Sequence, residues 1–580
     1  MQMQMQIQSR TYDLKSCDFP DQVDPLLQRV YAARGAKNQL SLDRHLSSLP
    51  SPQLMLGMPA AVSRLIVALH DNQKIVILGD FDADGATSSA LMVLALTAMG
   101  FKNVTFLVPN RFDYGYGLTP EIVDLAAENK PHLIITVDNG ISSVEGVTHA
   151  LTLGIEVIIT DHHLPGRVLP NAVAIVNPNQ PECEFPTKNL AGVGVAFYLL
   201  SALRAELRNQ GWFAERSLTE PSMATWLDLV ALGTVADVVP LDQVNRVLVH
   251  QGLLRIRAGQ CRPGIQALLR IAGKNPHRLA SADLGFAIGP RLNAAGRLDD
   301  ISLGIQCLLT DDPQLAMQTA QELDQLNKDR RSIEQSMQRE AMVEMDKLSF
   351  DSDEVLPAVL CLFHPDWHQG VVGLLASRLK EKYHRPVVAF ARGDEGTLKG
   401  SSRSIPGLHI RDALDAVATQ NPGLIDKFGG HAMAAGLSLL EKNLEQFTEA
   451  LQKHVAKALN EDDLAAKVIT DGSLESKQLT MHTAEVLREA GPWGQQFSEP
   501  CFEGCFKLKQ QRIVGENHLK LVLADEATPE INIDAIYFNI DASLWPNNQA
   551  QRVRCVYRLD INEYRGQEKL QFLIQYMEAI

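Results

Sequence analysis

Short β-branched runs alternate with helical segments from residue 75 onward, and this alternation constrains the fold more than any other feature. The apolar runs are Ile75–Leu78, Val104–Val108, Leu133–Val137 and Ile155–Thr160. Between the first two, Ala86–Met99 has the apolar spacing of a helix and is followed by Gly100. Strands that alternate with helices form parallel sheets, because each parallel connection must cross back over the sheet. The sequence therefore predicts a doubly wound α/β domain, which we place at residues 46–312, after an N-terminal extension at 1–45.

Three further segments follow this domain. Asp312-Pro313 begins a helical pattern with apolar residues every three or four positions, which predicts a long connecting helix at 313–348. A second α/β domain is expected at 349–460, with Lys399–Ser404 as a small-residue loop and Gly429–Gly436 as a tight turn between a helix and a strand. The acidic, Ala-rich 461–467 is our linker candidate, and five strand-like runs after it predict a small β-barrel, so the last domain is placed at 461–580.

Composition narrows the functional class. A chain of 580 residues with 45% hydrophobic and 21% charged residues is globular and too long for a single binding module. Its net charge of -15 argues against a protein that coats polyanions over its whole surface, so a nucleic acid would be held in a local basic cleft. The 8 cysteines are scattered and form neither a disulfide framework nor a paired zinc motif. No long uncharged apolar run or secretory signal pattern is present, so we expect a cytoplasmic location.

The strongest chemical signal follows the first apolar run. Asp80, Asp82 and Asp84 stand at alternate positions directly after Ile75–Leu78. Three carboxylates that converge at the edge of a sheet repel one another unless cations lie between them. A site for hard divalent metal ions is therefore predicted, and the alternative is a solvated Asp-rich turn.

Two later strands end in the same way. Asp138 follows Leu133–Val137, and Asp161, His162 and His163 follow Ile155–Thr160. Ligands of open parallel sheets bind outside the carboxyl ends of the strands, where all these side chains would meet. Imidazole combined with carboxylates favours manganese over calcium. Asp237 lies in a buried helical context that argues against a surface role, although by itself it is an even choice between a structural and a functional residue.

These motifs resemble the DHH phosphoesterases. The resemblance rests on Asp80-x-Asp82-x-Asp84, on Asp138-Asn139-Gly140, on Asp161-His162-His163 and on Asp237. Three later segments are similar to those of one branch of that family, the RecJ single-strand-specific DNA exonucleases. They are Gly289–Arg297, His364–Gly370 and Gly429–Gly436. The family fold has two α/β domains, DHH and DHH-associated, joined by a long helix around a groove, with an oligonucleotide-binding (OB-like) barrel at the end.

The resemblance implies specific roles at the centre. It implies two Mn²⁺ or Mg²⁺ ions held by Asp80, Asp82, Asp84, Asp138, His162 and Asp237, with Asp138 best placed to bridge them. The residues implied to take part in catalysis are Asp82, Asp84, Asp138, Asp161, His162 and His163. Among these, Asp161 would orient the imidazoles, because a metal-bound histidine usually donates its other ring N–H to an oxygen.

The resemblance also implies contacts with DNA. Arg111, Ser401 and Arg403 would form a pocket for a 5′-phosphate, and Arg291, Asn293 and Arg297 belong to a motif that would face backbone phosphates near the metals. His431 would donate to a phosphate oxygen, and Tyr114 would stack on a base unless it is a core residue.

The expected function is a metal-dependent, single-stranded-DNA-specific exonuclease that degrades 5′→3′ to mononucleotides in DNA repair and recombination. Single-strand-binding protein and a repair helicase are partners implied by the resemblance. Two alternatives are a DHH phosphodiesterase for oligoribonucleotides or cyclic dinucleotides, and a non-catalytic DNA-binding scaffold of the same fold. Chain length disfavours the first, because such enzymes need only the two α/β domains, and the filled ligand positions disfavour the second.

Overall fold

A computed structural model of the chain describes residues 5–109, 117–347, 356–394, 396–515, 517–540, 544–564 and 566–580. The chain divides into two compact units. The larger unit comprises Ser9–Leu326 and Thr470–Ile580, and the smaller comprises Met1–Gln8 and Asn327–Ile469. Both units are therefore assembled from separate stretches of sequence. The sequence-based domain limits and the expected groove stay predictions.

A five-stranded parallel sheet forms the centre of the larger unit. After the N-terminal strand β1 (Gln6–Ser9), its strands are β2 (Ile75–Leu78), β3 (Val104–Leu107), β4 (Leu133–Val137), β5 (Glu156–Thr160) and β6 (Ala174–Val176). Their order is β3-β2-β4-β5-β6, and every neighbouring pair is parallel. β2 and β4 are buried along their whole length, because helices cover both faces of the sheet. The predicted doubly wound fold is confirmed.

The helices of the larger unit pack on this sheet or extend its core. They are Pro25–Ala32, Gln39–Leu42, Met58–His70, Ala83–Ala98, Pro120–Ala127, Val144–Thr152, Gly192–Asn209, Trp212–Glu215, Leu227–Ala236, Gln243–Arg257, Pro263–Ile271, Ser281–Asp283, Gly289–Leu298, Ser302–Leu309 and Met481–Glu489. Ala83–Ala98 begins three residues before the predicted start, because the Asp82 side chain caps it. Among the described residues no single helix is both long and apolar enough to cross a membrane, and one bent pair, Leu46–Leu54 with Met58–His70, qualifies by length and composition only.

A helix of 35 residues, Pro313–Lys347, connects the two units. Asp312 begins it, with its Oδ1 accepting from the Gln314 N–H at 2.8 Å, and Pro313 occupies the first helical position, where no N–H is needed. The predicted long helix is confirmed.

The smaller unit contains a mixed sheet. Its strands are β7 (Leu360–Phe363), β8 (Val387–Arg392), β9 (Thr397–Arg403), β10 (Lys427–Gly430) and β11 (Ala434–Leu440), in the order β10-β11-β9-β8-β7, and β12 (Lys467–Thr470) follows them in the chain. Only β7 and β8 are parallel. The accompanying helices are Val372–Tyr383, Ile410–Gln420, Leu444–Ala458 and Glu461–Leu464.

Two local predictions for this unit were wrong. Lys399–Ser404 lies almost entirely in β9, the middle strand of the sheet, rather than in a loop. Gly429–Gly436 comprises the end of β10, the hairpin turn and the start of β11, and is not a turn between a helix and a strand. The linker candidate 461–467 begins with the helix Glu461–Leu464, which Asn460 caps and whose acidic first turn suits a helix N-terminus, and its role as a linker stays a prediction.

The C-terminal region forms a closed five-stranded barrel, as predicted. Its strands are β13 (Phe502–Val514), β14 (His518–Asp525), β15 (Asn532–Tyr537), β16 (Arg552–Tyr564) and β17 (Gln567–Ala579). Closure removes the exposed strand edges that an open sheet would leave. Buried aromatic rings fill the interior, and those of Tyr557 and Phe572 stack with centroids 3.9 Å apart.

The expected N-terminal extension packs on the segment that leads into the barrel. The Arg34 guanidinium donates to both carboxylate oxygens of Asp471, at 2.7 and 2.9 Å, and the Tyr31 hydroxyl donates to the Ala490 carbonyl. These buried contacts lie between the two stretches, Ser9–Leu326 and Thr470–Ile580, that make up the larger unit.

Candidate metal centre

Carboxylates and imidazoles gather at the carboxyl ends of β2, β4 and β5, which are neighbours in the sheet. Three overlapping groups each place their ligand atoms within 4.8 Å of one another. The groups are Asp80 with Asp82 and Asp138, Asp84 with His162 and Asp237, and Asp138 with His162 and His163. All the metal-site residues named from the sequence therefore lie in one cluster, within one unit.

Asp138 belongs to two of these groups and is 2% exposed. Its φ of 63° lies in the left-handed region, which residues other than glycine rarely adopt. A Cβ at Gly192 would lie 2.6 Å from the Asp138 Cβ, so only glycine lets the neighbouring helix come this close. The Asp138 Oδ1 is 3.0 Å from the His162 Nε2. The backbone and the packing together fix this carboxylate at the middle of the cluster.

Asp82 and Asp84 are held by helix N-termini. The Asp82 Oδ1 accepts from the N–H groups of Asp84 and Gly85 and so caps the helix Ala83–Ala98. The two Asp84 oxygens accept from the N–H groups of Gly192 and Val193, at 2.6 and 2.9 Å, at the start of Gly192–Asn209. Helix N-termini stabilise negative charge, so both carboxylates have fixed orientations.

Asp161 is occupied on both oxygens. Its Oδ1 accepts from the N–H groups of His162 and His163 and lies 2.8 Å from the His163 Nδ1, while its Oδ2 accepts from the Ile141 N–H. The carboxylate thus orients the His163 ring directly and the His162 backbone, whereas the resemblance implied that it orients both rings. Its catalytic role stays a prediction.

His162 and Asp237 complete the cluster from opposite sides. The His162 Nε2 is 3.5 Å from the Asp237 Oδ2, and its ring lies beside that of His163, with centroids 4.5 Å apart. Asp237 directly follows the buried helix Leu227–Ala236. Its side chain is 20% exposed and that of His163 is 31% exposed, so the cluster reaches solvent through both residues.

Burial and crowding change the acidities of these groups. Burial, followed by the charge of Asp82, raises the pKa of Asp84 to about 7. Burial and the neighbouring carboxylates raise the pKa values of Asp138 and Asp237 well above their ordinary range. Burial also opposes ionisation of Asp161, but hydrogen bonds from His163 outweigh it and leave the pKa of that carboxyl lowered. Oxygen and imidazole donors this close suit hard or borderline divalent cations, whose charge would offset the repulsion.

The helix Gly289–Leu298 braces the Asp80–Asp84 segment. The Asn293 Oδ1 accepts from the Ala83 N–H at 2.7 Å, and a Cβ at Gly296 would collide with the Phe81 carbonyl oxygen. Arg291 is 9% exposed and pairs with Asp324, while Arg297 is half-buried at the end of the helix. Arg291 and Asn293 therefore have protein partners, and the phosphate contacts expected of these two residues and of Arg297 stay predictions.

The remaining described DNA-binding candidates lie in the smaller unit. Ser401 and Arg403 alternate on one face of β9, and the Arg403 Nη1 donates to the Ser401 Oγ at 3.1 Å. A Cβ at Gly373, in the first turn of Val372–Tyr383, would lie 2.9 Å from both the Arg403 Nη2 and the Ser401 Oγ. His431 lies in the β10–β11 turn, close to the position where Ala434 pairs with Arg403. Arg111 and Tyr114 fall outside the described residues.

Sequence reasoning missed Gly192 and Val193, whose N–H groups bind Asp84. The signal was the pair of small residues at the start of a buried helix, Ala191-Gly192-Val193-Gly194, which permits close backbone approach.

Comparisons with known proteins agree with this geometry. Residues 74–234 match the family model of the DHH family, N-terminal domain, residues 355–457 match the DHHA1 domain, and residues 470–576 match the RecJ OB domain. The fold and the carboxylate–histidine cluster therefore define a protein of the DHH class.

Individual relatives are similar over the whole chain. The single-stranded-DNA-specific exonucleases RecJ of Salmonella typhimurium and Escherichia coli are each 54% identical over 574 residues, with 99% of both chains covered. The crystal structure of RecJ in complex with Mn²⁺ from Thermus thermophilus superposes with a TM-score of 0.78 at 29% identity, covering 96% of this chain and 76% of that one. The chain belongs to the RecJ family.

Proposed function

We propose that this protein is a metal-dependent exonuclease specific for single-stranded DNA, which hydrolyses phosphodiester bonds from the 5′ end and releases mononucleotides. The observation that carries the proposal is the cluster of five carboxylates and two histidines at the carboxyl ends of β2, β4 and β5 and at the end of Leu227–Ala236. Full-length relatives named single-stranded-DNA-specific exonucleases support the substrate class. A cytoplasmic role in DNA repair and recombination belongs to the same proposal.

Two divalent ions, Mn²⁺ or Mg²⁺, would be held by Asp80, Asp82, Asp84, Asp138, His162 and Asp237. When bound, such ions lower the pKa of a coordinated water and neutralise the charge that develops on the phosphate. Asp138 would be the bridging ligand that the resemblance implies, which is supported by its membership of two ligand groups and by the two oxygens of a carboxylate.

The other groups of the site fix geometry. Asp161 holds the His163 ring through Nδ1 and leaves its Nε2 for the cluster. Asn293 holds the start of the helix that carries Asp84. Preorganised groups of this kind avoid reorganisation during the reaction, which makes electrostatic stabilisation effective.

The 5′→3′ direction rests on a terminal-phosphate pocket at Ser401 and Arg403. Arg403 is half-buried and hydrogen-bonded to Ser377 and Ser401, and the first turn of Val372–Tyr383 lies against both side chains. A guanidinium beside a helix N-terminus suits a phosphate monoester, which carries more charge than an internal diester. By resemblance Arg111 would join this pocket. Recruitment by single-strand-binding protein and a repair helicase is likewise an expectation from the resemblance.

The test is incubation of 5′-labelled and 3′-labelled single-stranded DNA, blunt duplex DNA and RNA with the full chain in Mn²⁺, Mg²⁺ or EDTA. We expect labelled mononucleotide to be released first from the 5′ label, on single-stranded DNA and only with metal. Shortening from the 3′ end would contradict the direction. Preference for oligoribonucleotides would favour a small-substrate phosphodiesterase, and binding without cleavage would favour a scaffold.

A further inference from the structure

An exposed aromatic ring lies in the turn that packs against the end of the helix preceding Asp237. Phe286 is 80% exposed, more than any other large apolar side chain among the described residues. Isolated exposed apolar residues are common at protein surfaces, so exposure alone does not indicate a function for Phe286. Its position in the fold and the conformation of its backbone do indicate one.

Phe286 lies in the middle of a π-helical turn, Leu284–Ile288. Such turns are rare and occur frequently at functional sites. Two glycines let this turn pack closely against the end of the helix Leu227–Ala236. A Cβ at Gly285 would lie 3.2 Å from the Val235 Cγ1, and a Cβ at Gly289 would lie 3.2 Å from the Ala236 Cβ. The backbone of Phe286 is thereby fixed next to the residues that precede a metal-ligand candidate.

A second exposed apolar residue follows that ligand directly. Val238 is 63% exposed and has a φ of 61°. A β-branched residue in the left-handed region is an outlier, so the fold constrains the backbone at this point. Val238 adjoins Asp237 in the chain, and Phe286 lies in the turn packed on the end of the helix before it, so both exposed apolar residues belong to the segments around this ligand candidate.

The charge of the centre explains why neutral contacts suit this position. An arginine or lysine here would pair with Asp237 or its neighbours and compete with the cations for them. An aromatic face holds a nucleic acid without that competition, because every base has a flat surface on which a ring can stack.

We propose that Phe286 stacks on a nucleobase of the strand whose phosphodiester lies at the metal centre, with Val238 adding apolar contact. This inference rests on the proposed function and deepens it by naming a substrate-positioning residue. Stacking is tolerant of base identity, which fits an enzyme that must accept any sequence.

The test measures KM and kcat for the full chain with Mn²⁺ on a short 5′-phosphorylated oligodeoxythymidylate. Phe286→Ala should raise KM by roughly 5- to 150-fold, the range of one lost base–aromatic stack, and leave kcat nearly unchanged. Phe286→Trp should retain the wild-type KM. Leu40→Ala is the matched control, because Leu40 is 68% exposed and is not adjacent in sequence to any metal-ligand candidate.

An abasic scan makes the test specific. In a series of strands with one abasic residue at successive positions, one position should raise the wild-type KM and abolish the further effect of Phe286→Ala. An unchanged KM in Phe286→Ala, or the same loss at every abasic position, would overturn the inference. A fall in Mn²⁺ affinity without DNA would also overturn it, because Phe286 would then be supporting Asp237.

Failure of the proposed function would look different. The wild type itself would then leave the unmodified strand intact, and anisotropy measurements with the same abasic series would still report whether Phe286 contacts a base.

Discussion

Arg291 and Asp324 form a buried ion pair between the helix Gly289–Leu298 and the connecting helix Pro313–Lys347. The guanidinium Nε and Nη2 lie 2.9 and 2.8 Å from one carboxylate oxygen, and each side chain is 11% exposed. Because Asn293 on the same helix holds the Ala83 N–H, the pair links the connecting helix to the segment that carries the metal ligands.

Asp324→Ala should lower the free energy of unfolding of the larger unit by about 3–5 kcal/mol, because it leaves a buried guanidinium without its partner. The isosteric Asp324→Asn should lose less, since it retains an acceptor. Chemical denaturation followed by tryptophan fluorescence measures both. Equal stability of wild type and Asp324→Ala would show that the pair contributes nothing.

Asp138→Asn and His162→Ala should abolish hydrolysis while leaving the circular dichroism spectrum unchanged, because each removes a ligand without emptying an apolar core. Asp71→Asn, at an exposed carboxylate after Met58–His70, serves as the control. Wild-type turnover in either ligand variant would refute the metal assignment.

Asp161→Asn should weaken Mn²⁺ binding by roughly 10- to 100-fold, the usual effect of removing a group that orients a ligand. The reason is that Asp161 holds the His163 ring and two N–H groups of the same segment. Metal titration by calorimetry gives the affinity, and loss of all binding would instead make Asp161 a ligand.

Mn²⁺ should stabilise the protein more as pH rises. Without metal, the raised pKa of Asp84, about 7, means that its favourable contribution is complete below its ordinary pKa and is lost as pH increases through about 7. Deprotonated carboxylates then repel one another, whereas bound cations require that form. Thermal unfolding with Mn²⁺ or EDTA, between about pH 5 and about pH 8, should give a widening difference, and a constant difference would contradict this reasoning.

Arg403→Ala should reduce the preference for a 5′-phosphate over a 5′-hydroxyl by roughly ten- to a hundredfold, the value of a hydrogen bond to a charged group. Cleavage of the 5′-hydroxyl strand should change little. Arg411→Ala, at an exposed arginine of the same unit, is the control. Competition between the two strands for one enzyme sample measures the preference directly.

The sequence predicted the sheet, the connecting helix and the barrel, because these depend on local patterns. The full membership of the metal cluster came from the resemblance, since Asp237 by itself was an even choice. β2 and β4 are buried along their whole length, and an aspartate, Asp80 or Asp138, follows each of them within two residues. Parallel pairing alone brings such residues together.

The errors arose where distant contacts decide the structure. Gly400 and its neighbours resemble a loop, yet they form a central strand. Glycine is needed at this position of the strand, because a Cβ at Gly400 would lie 2.5 Å from the Phe390 ring and 2.7 Å from Leu437. Asn293 belongs to a motif for which a phosphate contact stays a prediction, and its Oδ1 accepts from the Ala83 N–H, 210 residues away. No local pattern reveals such a partner.

The pairing of Arg34 with Asp471, across 437 residues of sequence, has a consequence for how the chain is made. During synthesis the sheet-containing unit can begin to form early, but Arg34 and Tyr31 must wait for residues that leave the ribosome near the end. The smaller unit, formed mainly by Asn327–Ile469, leaves the ribosome between the two stretches of the larger unit. It can therefore fold before the larger unit is complete. Until then apolar surface meant for the last segment stays uncovered, so nascent chains halted before residue 470 should be the form most dependent on chaperones.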